Sequence, residues 1–260
     1  MTVRELNEFL NRRFSPALSS EWDNDGLQVC PDPDAEVEGV LIALDPTDAA
    51  IDEAKKTGCN VILTHHPLIF QPLSEITPES GVGRRVQRLL SLGISAISCH
   101  TRADAAEGGI NDALARMIGL SDVTAFADGI PRIGSLDGAA TPSAAALFIL
   151  GATGAQKALY SGKAPETIAR VAVCGGAGKE YLSAVAEAGA DLYFTGELSY
   201  HARLDAADLP LLVMEVGHDT SERHAVTVFY RALSSLDPDF PTVLFDYRAG
   251  NGFSGGRLDI

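Results

Sequence analysis

The sequence predicts an α/β protein, and two observations carry that expectation. From residue 40 onward, short β-rich runs alternate with amphipathic helical stretches, the pattern of a largely parallel or mixed sheet covered by helices. A less regular stretch from about 126 to 165, rich in Gly, Ala, Thr and Pro, breaks that rhythm and predicts a seam between two α/β units.

The elements follow in order. The N-terminal MTVRELNEFLNRRF mixes charges with apolar residues at helical spacing, so a helix and no signal peptide is expected there. VLIAL (40–44) precedes DAAIDEAKKTG, and NVILT (60–64) leads through a loop to VGRRVQRLLSLG. ISAIS (94–98) is followed by GGINDALARMIGL. Beyond the seam, IARVAVC (168–174) precedes GKEYLSAVAEAGA, and DLYFT (191–195) precedes ELSYHARLDAAD. LLVMEV (211–216) then precedes SERHAVTVFYRALSSL, and TVLFDY (242–247) closes the series.

Composition narrows the function classes. The 260 residues, 46% of them hydrophobic, suffice for one large core or two modest ones. A formal net charge of −15 is the opposite of what counterion release at a nucleic acid requires, so no nucleic-acid partner is expected. No apolar run approaches the roughly 20 residues that span a bilayer, so no membrane partner is expected either. Cys30, Cys59, Cys99 and Cys174 lie far apart and read as reduced thiols of a cytoplasmic protein.

In open α/β sheets, ligand sites form where strands end and helices begin, and the unusual polar residues fall there. NVILT runs into His65-His66-Pro67; ISAIS runs through Cys99 to His100, Arg102 and Asp104. DLYFT ends in Gly196-Glu197 with His201 four residues on, and LLVMEV ends in Gly217-His218 with Glu222 four residues later. Each piece has a plain structural alternative. Successive extended residues diverge, so His65 and His66 could hardly share one ion from a regular strand but could each serve one of two. Asp104 could cap the helix of GGINDAL. His218 and Glu222 could share a helical face and a metal, or Asp219 and Glu222 could form a capping box. Trp22 reads as a core anchor, with Asp23 and Asn24 as caps or cleft residues. CGGAGKEY (174–181) reads as a tight strand-to-helix turn or an anion cradle, but not as a Walker A loop, because Glu180 follows Lys179.

WDNDGLQV, THHPLIF, SCHTRAD, FTGEL and GHDTSE, in that order across the chain, resemble the Nif-three-like dinuclear-metal-centre hexameric proteins, many of them called GTP cyclohydrolase I type 2 homologues. The resemblance implies two α/β subdomains with mixed sheets flanked by helices and a dinuclear metal site in the cleft between them. It implies His65, His66, Asp104, His218 and Glu222 as the metal ligands, with Glu222 bridging and His100 close by. The ions would be Zn, Fe, Mn or Co, which suit imidazole and carboxylate donors. The ligand order implies a discontinuous metal-binding domain, 1–125 plus 205–260, interrupted by a second domain, 126–204. The family label implies a hydrolase of a nucleotide, opening the guanine ring of GTP, or of a phosphoester, within a homohexamer. A non-catalytic metal-binding ring is the competing reading. His100, Glu197 and His201 are the candidates for proton transfer or for support of the ligands. Three departures from the family pattern stand out: Asp25 replaces an apolar residue, Arg102-Ala103 replaces Asn-Leu, and Asp219 stands at an often aromatic position. Arg102 is a planar cation able to grip a phosphate or carboxylate.

Overall fold

Thr2 and Glu5 close a reciprocal capping box that starts the first helix, α1 (Val3–Arg13), and Leu6 and Leu10 form its buried stripe. In the computed structural model, which describes residues 1–245, the chain continues through β1 (Gly26–Val29), β2 (Val40–Ala43), α2 (Asp48–Thr57), β3 (Val61–Thr64), α3 (Gly81–Leu92) and β4 (Ser95–Ser98). Next come α4 (Thr101–Ala105), α5 (Ile110–Met117), β5 (Ser121–Ala125), β6 (Arg132–Ala140), α6 (Pro142–Thr153), β7 (Leu159–Gly162), β8 (Ile168–Ala177) and α7 (Leu182–Glu187). The described chain closes with β9 (Leu192–Glu197), α8 (Tyr200–Ala206), β10 (Leu212–Glu215), α9 (His218–Glu222), α10 (Ala225–Ser234) and β11 (Thr242–Leu244). None of the helices among the described residues is long and apolar enough to cross a membrane.

Two compact units result among the described residues, Met1–Ala103 with 225–245, and Asp104–His224. The first holds a sheet of order β1-β4-β3-β2-β11, parallel except where β1 runs antiparallel to β4. Its central strands are buried throughout, as continuous apolar runs in a parallel sheet must be. Side-chain alternation sends Leu41, Ala43, Ile62 and Ala96 to the face covered by α2 and α3. Near α1 and α10, Phe14 meets Phe229 edge to face at 5.6 Å.

The second unit holds a mixed sheet of order β5-β6-β8-β9-β10-β7, with β8, β9 and β10 parallel and the outer pairings antiparallel. Val171, Val173, Leu192, Phe194 and Met214 pack one face against α5 and α6. Ala172, Cys174, Tyr193 and Val213 pack the other against α7 and α8. The mixed-sheet α/β class predicted from the sequence is the one observed.

The finer organisation differs from expectation. The irregular stretch at 126–165 is no seam: it supplies β6, α6 and β7 to the second sheet. The α6 helix starts on a Thr141 cap with Pro142 in its first turn, a plain start signal inside an Ala-rich run. The expected second domain, 126–204, lies within the second unit, which also takes in 104–125 and 205–224 because α5, β5, β10 and α9 pack on its sheet. Of the expected closing strand TVLFDY, β11 covers Thr242–Leu244. Residues 246–260, included in the expected metal-binding domain, lie outside the described residues.

Candidate metal centre

Parallel register aligns the strand ends of the first unit. Thr64 pairs with Ala43 on one side and with Ser98 on the other, so the residues that follow each strand emerge side by side. Cys99 N–H donates to the Thr64 carbonyl at 3.0 Å, and His66 N–H to the Leu44 carbonyl at 3.0 Å. The strand ends at Thr64, whose hydroxyl donates to the His66 carbonyl at 2.7 Å and bends the chain. The expected divergence of His65 and His66 therefore does not occur. Their ring centroids are 4.9 Å apart, and His100 lies 5.1 Å from His65 and 5.6 Å from His66. Each of the three offers a ring nitrogen, all within 4.8 Å of one another, and together they form a group able to hold a metal ion.

Each imidazole is held through Nδ1 by an oxygen. His65 Nδ1 lies 3.1 Å from the Cys99 carbonyl, His66 Nδ1 2.8 Å from Asp45 Oδ1, and His100 Nδ1 2.8 Å from Asp23 Oδ1. Carbonyl and carboxylate oxygens only accept, so Nδ1 carries the proton and Nε2 is the lone-pair nitrogen. Asp23 also accepts from the Thr101 N–H at 3.1 Å and its hydroxyl at 2.6 Å. Burial raises the Asp23 carboxyl, but these bonds, and the charge His100 gains once protonated in acid, outweigh it and bring the group down to about 2.

In the second unit, register again aligns strand ends, pairing Cys174 with Thr195 and Thr195 with Glu215. The short α9 that follows β10 starts at Gly217 with no side-chain cap, so the capping box on Asp219 and Glu222 does not form. Glu222 instead turns inward and is buried. His218 Nε2 lies 3.2 Å from Glu222 Oε2, and His218 Nδ1 lies 3.1 Å from Glu197 Oε1. This is again a histidine held at Nδ1 by a carboxylate. Asp104, buried on α4, and Glu222 both bear on the Cys174 thiol, which burial first and these two charges next push well up. Burial likewise pushes Cys99 up to about 12. Both are inert thiols.

Glycines set how closely α9 approaches the sheet. At Gly176, with φ +64°, an added Cβ would fall on the Glu222 carboxylate, and at Gly196 it would meet His218 Cα at 2.9 Å. The glycine run 175–178 is no anion cradle: Gly175 N–H donates to Asn111 Oδ1 at 2.9 Å and Gly176 N–H to Ser221 Oγ at 2.9 Å. His201 is exposed on α8 beside Tyr200, with ring centroids 5.2 Å apart. Trp22 is no core anchor either, being 55% exposed.

The Duf34/NIF3 (NGG1p interacting factor 3) family matches residues 1–247. The chain belongs to this family. Among curated members, a Clostridium perfringens protein named GTP cyclohydrolase 1 type 2 homolog is 34% identical over 229 residues, covering 84% of this chain and 87% of its own. The Methanocaldococcus jannaschii protein of the same name is 31% identical, over 90% and 96% of the two chains. Among solved structures, reduced HcgD from Methanocaldococcus jannaschii superposes with a TM-score of 0.83 at 30% identity, covering 95% of this chain and 98% of its own. A Staphylococcus aureus hypothetical protein reaches 0.87 at 23% identity, covering 96% and 98%, a likeness of fold.

Two of the residues expected to depart from the family pattern, Asp25 and Arg102, pair with each other. Arg102 is not a substrate grip: it is 1% exposed, and its Nε lies 3.0 Å from Asp25 Oδ2. Its other donors reach Asn11 Oδ1 at 2.6 Å and the Ser98 carbonyl at 2.8 Å. Sequence reading also passed over Asp45, which has no spacing relation to His66. The only available hint was its place just after VLIAL, at a strand end like the histidines.

Proposed function

We propose that this Duf34/NIF3 member is a dinuclear divalent-metal protein that hydrolyses a nucleotide, by GTP cyclohydrolase-type ring opening, or a phosphoester. His65, His66, Asp104, His218 and Glu222 would supply the ligands. One observation carries the reading. His65, His66 and His218, like their neighbour His100, have Nδ1 fixed by an oxygen, and in all but His65 that oxygen is a carboxylate. Carboxylate–histidine pairs of this kind fix the tautomer and orientation of metal-binding imidazoles. The donor set, imidazole and carboxylate with no thiolate, fits Zn, Fe, Mn or Co.

Divalent ions supply Lewis acidity and activate water for hydrolysis. The chain's own groups do the rest. Asp45 and Glu197 orient His66 and His218, and the Asp23–His100 pair can hold or pass a proton beside the ligands. Among the described residues, His201 has no such support. The reading extends to a cytoplasmic homohexamer acting on a small molecule. Elemental analysis of the purified protein, coupled to turnover of GTP and of a phosphodiester, tests it. Two equivalents of metal are expected, and Glu222→Ala or His218→Ala should lose metal and turnover together. Variants that bind as much metal as the parent would overturn the ligand assignment; metal-loaded protein without turnover would leave the non-catalytic ring.

A further inference from the structure

Two large aromatic side chains stand in solvent beside the histidine group of the first unit. Trp22 is 55% exposed and Phe70 42% exposed. Their ring centroids are 5.9 Å apart, and each lies close to His100, Trp22 at 6.1 Å and Phe70 at 6.2 Å. All three pairs meet edge to face, so neither aromatic is stacked on the other.

Single exposed apolar residues need no explanation, but these two sit on loops that are pinned in place. Asp23, next to Trp22, is anchored on His100 and Thr101. Asn24 Nδ2 donates to the Ile69 carbonyl at 2.5 Å. Gln28 pairs with Ile69 twice, Nε2 donating to its carbonyl at 2.9 Å and Oε1 accepting its N–H at 3.1 Å. Three polar side chains, Asp23, Asn24 and Gln28, thus hold two rings in water next to His100. Preorganised exposed rings suit a planar π-system, because every nucleobase has a stacking face and the ordering cost is already met.

We propose that Trp22 and Phe70 form the stacking platform for the purine base of the substrate, a role that rests on the nucleotide reading above. Trp22 is the sole tryptophan of the chain, so its emission reports this platform directly. The test titrates full-length protein, metal-loaded and chelated, with guanosine monophosphate and with ribose 5-phosphate. Excitation at the red edge of the indole band is corrected against free tryptophan. The nucleotide should quench saturably in both forms, and the sugar phosphate should not. Phe70→Leu should weaken nucleotide binding about tenfold while metal content and unfolding midpoint stay at parental values. Equal quenching by ribose 5-phosphate, or unchanged affinity in Phe70→Leu, overturns the platform. Emission that tracks protein concentration instead of nucleotide also overturns it, assigning the rings to an interface between copies. A protein that takes up no metal but is still quenched by the nucleotide keeps the platform and sinks the metal reading.

Discussion

Replacing Asp25 by asparagine leaves a buried guanidinium without its counter-charge. Arg102 would keep Asn11 and the carbonyls of Ser98 and Phe14 but lose the carboxylate 3.0 Å from Nε. Breaking a buried pair from one side costs about 3–5 kcal/mol. At roughly 2–4 °C per kcal/mol for a chain of this size, that is a fall of about 6–20 °C in the midpoint. Removing both charges should behave differently. Burial holds the Asp25 carboxyl above its ordinary value even with Arg102 opposing, so the pair does not recover its desolvation cost. The double variant Asp25→Val with Arg102→Leu should therefore lie much closer to the parent than either single variant. The assay is thermal and denaturant unfolding read by Trp22 emission, arranged as a double-mutant cycle. Single variants within about 1 kcal/mol of the parent, or costs that simply add in the double variant, would refute the reasoning.

Three further outcomes follow from the site. Gly176→Ala removes no ligand, yet its Cβ would fall on the Glu222 carboxylate at a positive φ; elemental analysis should find less metal, and unfolding should show a cost of about 1–3 kcal/mol. Glu197→Gln should weaken metal affinity about 10–100-fold by loosening His218, read by competition with a chelator. The Asp23 carboxyl is lowered from 3.8 to about 2, so its stabilisation is complete above 3.8 and lost as pH falls towards 2. Denaturant midpoints of Asp23→Asn should consequently change less across that window than those of the parent.

Much of the fold was legible because parallel strands buried on both faces read as unbroken apolar runs, as VLIAL, NVILT and ISAIS do. The outer strands of the second sheet were not. Leu159–Gly162 is half exposed and mixes Tyr and Ser, and Ser121–Ala125 is largely exposed, so neither carries an apolar signature. Of the candidate site residues, His65, His66, His100, His218 and Glu222 stood out by type and by their place at strand ends. Their supports did not, since Asp45 and Asp23 are ordinary acidic residues until β-sheet register and loop closure bring them to an imidazole.

The sequence by itself determined the class of the two sheets, the run of strand ends and the histidines and acids placed on them, because hydrophobic period and residue chemistry are local. Only the tertiary structure decided that His65 and His66 turn to the same side, that Arg102 is neutralised in the core, and that Trp22 stands in water. The first depends on where the strand stops and the Thr64 hydroxyl bends the chain, the other two on partners distant in sequence, Asp25 against Arg102 and Gln28 on Ile69, and pattern along a chain holds no record of what lies across it.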